Sequence, residues 1–176
     1  MNPTRSTRHR IWTLPADVDT DALAPGTYMK LPIEAIAPHC LEGLRPDFAS
    51  RVRPGDMIAA GANFGIGSSR EQAAGVLVAL GVRAVIAPSF SGLFFRNAFN
   101  LGLLLLTTPR ATRFSDGEQI EFELGSLTLI TADGERIGCE PVPSFLLDMV
   151  EAGGLRNQLA KRLGREPRRT DEGKPR

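Results

Sequence analysis

"DMIAAGANFGIGSSREQAAGVLVALGVRAVIAPSFSGLFFRNAFNLGLLLL", residues 56–106, sets the fold class. It opens on an apolar run, "DMIAAG", that reads as a buried strand. After a glycine-rich turn, Ala73, Val76, Leu77 and Leu80 recur at i, i+3, i+4 and i+7, one face of a helix closed by Gly81. "RAVIAPS" reads as a second apolar strand, "SGLFFRNAFNLG" as a helix ended by Gly102, and "LLLL" as a third strand. Strands alternating with helices predict parallel pairing with right-handed crossovers, and so an α/β fold.

Downstream, residues 116–140 change to period two. "EQIEFEL" alternates polar and apolar, and "LTLITADGERIGC" reads as a hairpin turning at Asp133-Gly134, a short antiparallel addition. "PSFLLDMVEAGG" is a last amphipathic helix ending at Gly153-Gly154. Upstream, Pro15, Pro25, Pro32, Pro38 and Pro46 break residues 11–50 into loops and short pieces, with "PDFASRV" a short helix, as in the lining of a site. Residues 1–10 and 164–176 are polar, charged and rich in arginine, and read as flexible tails around one domain at residues 11–163.

The chain has 176 residues, 42% of them hydrophobic, and a net charge of +1, which suits one globular domain. That charge supplies no electrostatic reason to expect nucleic acid or an anionic membrane as partner. No apolar run approaches the roughly 20 residues that span a bilayer. The basic start, "MNPTRSTRHR", leads into no apolar signal core, so a cytoplasmic location is expected. Cys40 and Cys139 lie far apart with no CxxC and no His/Cys cluster, so no metal-ligand set is expected in this chain.

"GANFGIGSSRE", residues 61–71, carries the chemistry. No Gly-Lys-Ser/Thr follows the glycines, so it is not a phosphate-binding P-loop; "GIGSSR" lacks the third glycine of a dinucleotide fingerprint; the GxSxG elbow is absent. Two readings remain for Ser68. Ser68-Ser69-Arg70-Glu71 has the form of a capping box, in which Ser68 satisfies a free backbone N–H at the helix start. Alternatively, Arg70 and the free N–H groups of a helix start make a carboxylate or phosphate site, whose positive field stabilises a serine alkoxide as base. A cation in a first helical turn opposes the helix dipole unless an anion sits nearby, which favours the second reading. In "DVDTDALAP", Asp17, Asp19 and Asp21 read either as a polar turn or as the source of a carboxylate that orients a base or an arginine. Arg96, Asn97 and Asn100 read as a solvated helix face.

"GANFGIGSSREQA" resembles the GxNFGxGSSREHA signature of the small subunit of 3-isopropylmalate dehydratase, a motif shared with the swivel domain of aconitases. "VDTDALAPGTYMK" is similar to that family's VDTDxIIPxxYL segment, and "VIAPSFSGLFFRNAFNLGLLLL" to its AxSFARIFxRNxxNxGLPL stretch; "FSDGEQIEFEL" and "PVPSFLLDMVEAGGL" resemble its C-terminal pieces, in the same order. The resemblance covers roughly residues 11–163. It implies a swivelling layered β/β/α domain, and a hydro-lyase subunit that is active only with a large subunit carrying a [4Fe–4S] cluster. This chain itself would hold no cofactor. Ser68 falls on the family's catalytic serine and Asp21 on a supporting acid. Ser69, Arg70, Asn63 and Lys30 fall on or beside substrate-binding positions. The implied substrate is 2-isopropylmalate, converted to 3-isopropylmalate in leucine biosynthesis. Homoaconitate, methylmalate or citraconate, or a non-catalytic anion-binding module, stay open as alternatives. Gln72 stands where the family has His, and Gly92 where it has Arg, which leaves the choice of substrate open.

Overall fold

In the computed structural model, which describes residues 6–164, the central strand of the sheet begins inside the segment expected to be a tail. β1 runs Ser6–Leu14. Its first half, Ser6–Arg10, pairs antiparallel with β5 (Gln119–Glu123); its second half, Ile11–Leu14, pairs parallel with Met57–Ala60, the strand β2. Residues 6–10 are therefore not a tail, and residues 11–14 are not part of an irregular segment. "STRHR" hides the strand because only His9 of those residues is buried; Arg8 pairs with Glu121 and Arg10 with Asp56. Residues 1–5 and 165–176 lie outside the described residues.

The alternation of residues 56–106 forms as the sequence predicts. β2 leads through helix α4 (Glu71–Ala79) to β3 (Ala84–Ala87), then through α5 (Gly92–Asn100) to β4 (Leu104–Thr107). β2 and β3 are buried along their full length, as strands covered on both faces must be. β5, β6 (Thr128–Ile130) and β7 (Arg136–Gly138) make the antiparallel part, with the turn at Asp133-Gly134. The seven strands form one mixed sheet in the order β4-β3-β2-β1-β5-β6-β7.

The proline-rich stretch supplies short helices α1 (Thr20–Leu23), α2 (Ile33–Ile36) and α3 (Phe48–Arg51) and two 3-10 turns, Gly26–Tyr28 and Ala37–His39. α3 sends Phe48 edge-on to Trp12. Trp12 in turn lies between the guanidinium groups of Arg10 and Arg45, each 4.7 Å from its ring centroid. Its indole N–H donates to Asp56, which also accepts from Arg10 and from the Arg53 backbone. Helix α6 (Ser144–Ala152) stops at Gly153 in the left-handed region. A further helix, α7 (Leu155–Arg162), follows it and packs with α5 and α6; the glycine pair is a corner, not the end of the helical part.

Candidate active site

The parallel strands β1, β2 and β3 all point their carboxyl ends at one edge of the sheet, where ligands of open α/β sheets bind. The loops that leave these ends are residues 15–19, 61–70 and 88–91, and they are knitted together. The Phe64 backbone is bonded twice to the third loop, with Phe64 N–H to Ser89 O and Ser91 N–H to Phe64 O. On the other side, Gly65 N–H donates to Val18 O and Thr20 N–H to Ile66 O. Below, Phe64 packs edge-on against Phe90 and Phe94. Gly65 has φ +80, and a Cβ there would come within 2.2 Å of the Phe94 ring, so only glycine lets the chain cross that ring.

The serines stand on this platform. Ser68 is exposed and does not cap the helix: α4 begins at Glu71, its N-cap position is Arg70, and no side chain caps it. The capping-box reading fails for a local reason. Gly67, at φ +108, turns the chain so that the Ser68 N–H donates to Thr20 Oγ1 at 3.1 Å. The Ser68 Oγ then lies 3.3 Å from the same hydroxyl. Since Thr20 Oγ1 accepts from the Ser68 amide, its own proton is available to Ser68 Oγ, where it favours the ionised form. Thr20 is buried, and its sole mark in the sequence is its place between two aspartates.

Arg70 sits at the mouth of α4. One terminal nitrogen, Nη1, donates to Asp21 Oδ1 at 2.7 Å and to Ala24 O at 2.9 Å. Among the described residues nothing else accepts from this guanidinium, so its Nε–Nη2 edge is left for a bidentate carboxylate. Asp21 also accepts from Gly26 N–H, and Arg70 first, then that N–H, hold its carboxyl below the usual range. Asp21 is thus a fixed anion that aims Arg70. Asp19 caps α1 by accepting from Ala22 N–H.

Asn63, left-handed at φ 61, donates its side-chain amide to Asp17 and its backbone N–H to Ser89 Oγ; it ties the first loop to the third. Ser69 is exposed, and its carbonyl accepts from Asn97. Asn97 is buried, so the reading of Arg96, Asn97 and Asn100 as a solvated face is wrong for it. Lys30 is exposed and makes no hydrogen bond or ion pair among the described residues. It lies just past the turn whose Gly26 abuts Asp21 and Arg70. At Gly92, where a Cβ would meet nothing within 4 Å, the space of a larger side chain is open. Ser68, Asp21 and Arg70 are therefore brought to one place, and Asn63 braces it.

Among the described residues no group of three His, Cys, Asp or Glu is arranged to hold a metal. Burial raises the pKa of both free thiols, that of Cys139 to about 12. His9 is buried in β1, with its ring nitrogens at Gly55 O and Thr7 Oγ1, and burial lowers its pKa. A cleft of about 230 Å³ lined by Arg8, His9, Arg10, Arg53 and Asp56 opens at the other end of β1 and contains none of the residues singled out above. No helix of the described residues is long and apolar enough to cross a membrane.

A mixed sheet that gathers a serine, an arginine and its carboxylate partner near the carboxyl ends of parallel strands is a fold of the aconitase C-terminal-domain type. Residues 46–111 match the aconitase C-terminal domain family. The chain belongs to the family of 3-isopropylmalate dehydratase small subunits. It is 44% identical to 3-isopropylmalate dehydratase small subunit 1 of Methanopyrus kandleri, over 89% of this chain and 94% of that one. It is 41% identical to the methanogen homoaconitase small subunit of Methanothermobacter thermautotrophicus, over 89% and 92%. The crystal structure of 3-isopropylmalate dehydratase from Methanocaldococcus jannaschii superposes with a TM-score of 0.84 at 37% identity, covering 90% of this chain and 96% of that one.

Proposed function

We propose that this chain is the small subunit of a hydro-lyase that interconverts 2-isopropylmalate and 3-isopropylmalate by loss and return of water. The observation that carries the reading is the open Nε–Nη2 edge of Arg70, aimed by Asp21, beside an exposed Ser68 whose oxygen faces the Thr20 hydroxyl. Arg70 grips one substrate carboxylate. Ser68 Oγ takes the proton from the carbon next to a carboxylate, and returns it when water adds back. Three features lower the cost of the alkoxide this requires: the Arg70 charge, the Thr20 hydroxyl and the N-terminus of α4.

The reaction also needs a Lewis acid for the departing hydroxide. The resemblance assigns that task to a [4Fe–4S] cluster on a large subunit. The described residues of this chain do not fit such a cluster: Cys40 is buried, Cys139 lies on a different element, and both thiols resist ionisation. The loops around Ser68 would then face the partner, across an interface of about 1,200–2,000 Å² in total.

A second reading has one observation in its favour. Lys30 is an exposed cation without a partner among the described residues, on the segment next to Arg70, and would suit a substrate with a further carboxylate such as homoaconitate. One experiment addresses both. The chain is mixed with an anaerobically prepared cluster-bearing large subunit, and turnover is compared for 2-isopropylmalate, homoaconitate and methylmalate. Turnover of 2-isopropylmalate by the pair, with none by the isolated chain, is the expected result. Preference for homoaconitate selects the second reading. Association with the partner but no turnover of any hydroxy acid would leave a non-catalytic anion-binding module.

A further inference from the structure

We infer that Tyr28, His39 and Glu42 form a clasp that positions residues 26–31 as a wall of the site. The inference rests on reading the Ser68–Arg70 cluster as the substrate site. The wall begins at Gly26, whose N–H donates to Asp21; a Cβ added there would lie 3.2 Å from Asp21 Oδ1 and 3.7 Å from Arg70 Nη2. Beyond Gly26 it has little to hold it. The amides of Tyr28, Met29 and Leu31 donate only to Pro25, Gly26 and Tyr28, so these bonds curl the segment without attaching it to the body of the protein. Thr27, Lys30 and Leu31 are exposed. Attachment falls to the half-buried side chains of Met29 and Tyr28.

Tyr28 has a built partner. Its ring stacks on the imidazole of His39 with centroids 3.7 Å apart and planes 16° from parallel. His39 Nδ1 is bonded to Glu42 Oε2 at 2.7 Å, which fixes the imidazole plane. Desolvation, and then Glu42, raise the pKa of the Tyr28 phenol. The far side of the clasp is rigid. The turn Ala37–His39 packs on α4, Ala37, Cys40 and Leu41 are buried, and Leu41 N–H donates to Ala22 O at 2.8 Å, next to the acid that aims Arg70. The contacts of His39 and Glu42 are with Tyr28 and with each other, not with Ser68, Asp21 or Arg70. Both are positioning residues that act through Tyr28 on the segment that faces Arg70.

Lys30, Lys161 and Lys174 are the only lysines of the chain, so a lysine-specific protease reports on the wall directly. Cleavage after Lys30 should be about tenfold faster in His39→Ala than in the wild type, because cleavage tracks the open population of a segment that has lost its aromatic partner. His39→Phe keeps the stack without the Glu42 bond and should restore most of the protection. Lys161, in α7, is the internal control, and its cleavage should not change. In the enzyme reconstituted with its large subunit, His39→Ala should raise KM about tenfold with kcat within about threefold, and His39→Phe should reverse this. Unchanged cleavage at Lys30, faster cleavage at Lys30 and Lys161 alike, no rescue by His39→Phe, or a loss confined to kcat would each overturn the clasp. If the wild-type pair turns over no hydroxy acid, the reading of the site fails instead, and the Lys30 cleavage rates still decide the clasp.

Discussion

Replacing Ser68 with alanine separates chemistry from structure better in the folded protein than the sequence suggested. A capping serine would cost about 1 kcal/mol on removal. The observed Ser68 caps nothing; its Oγ is exposed and meets only Thr20 Oγ1, at 3.3 Å, which is long for a hydroxyl pair. Its loss should change stability by no more than about 0.5 kcal/mol, or roughly 2 °C in Tm for a chain of this size. Loss of the base should lower turnover by roughly 10²–10⁴-fold, about 3–5 kcal/mol of transition-state stabilisation. The assays are thermal unfolding of the chain followed by circular dichroism, and kcat of the pair with its large subunit. Thr20→Val is the companion. It keeps the buried shape but strands the Ser68 N–H, so it should cost about 1–3 kcal/mol of stability and reduce turnover as well. Ser68→Ala with kcat within about threefold of wild type would refute the serine base. A Tm loss of about 4 °C or more with normal turnover would return Ser68 to a structural role.

Arg70→Lys should cost about 2–4 kcal/mol in kcat/KM, since a lysine reaching Asp21 cannot also offer a fork to a carboxylate; steady-state kinetics on the pair check it, and full activity would make Arg70 a surface charge. Gly65→Ala should destabilise by about 2–4 kcal/mol, combining a positive φ with a clash against Phe94, as read by urea unfolding; a neutral result would mean the loop reshapes freely. Asp116 accepts both terminal nitrogens of Arg45 at 2.7 Å, and Arg45 is the main cause that holds its pKa at about 2, below the usual 3.8. A depressed carboxyl contributes stability above its unfolded value and loses it as pH falls through its folded one. The Tm of the wild type should therefore fall between pH 3.8 and about 2, and Asp116→Asn should fall less over that window; identical slopes would show that the half-exposed pair contributes nothing.

By itself the sequence determined the βαβαβ unit, the hairpin at Asp133-Gly134 and the helix α6 to Ala152, but not the α7 that follows it. In each the information is local: a 3.6-residue or two-residue apolar period bounded by glycines. It also marked Ser68 and Arg70, because a glycine turn, two hydroxyls and an arginine at a helix start make a combination that simple capping does not require; the resemblance alone picked Asp21 out from Asp17 and Asp19. What only the tertiary structure decided depended on partners distant in the chain. Ser6–Leu14 is a strand because β2 lies on one side of its second half and β5 on one side of its first, a pairing that leaves "STRHR" polar in sequence and central in space. Ser68 is not a cap because Thr20, 48 positions earlier, takes its amide. Asn97 is buried with its side-chain amide on the carbonyl of Ser69, 28 positions earlier. The Tyr28–His39 stack joins two turns that the prolines separate. Hydrogen bonds and stacking between segments leave no periodic trace, since each partner needs only one residue of the right chemistry, and the fold alone brings the two together.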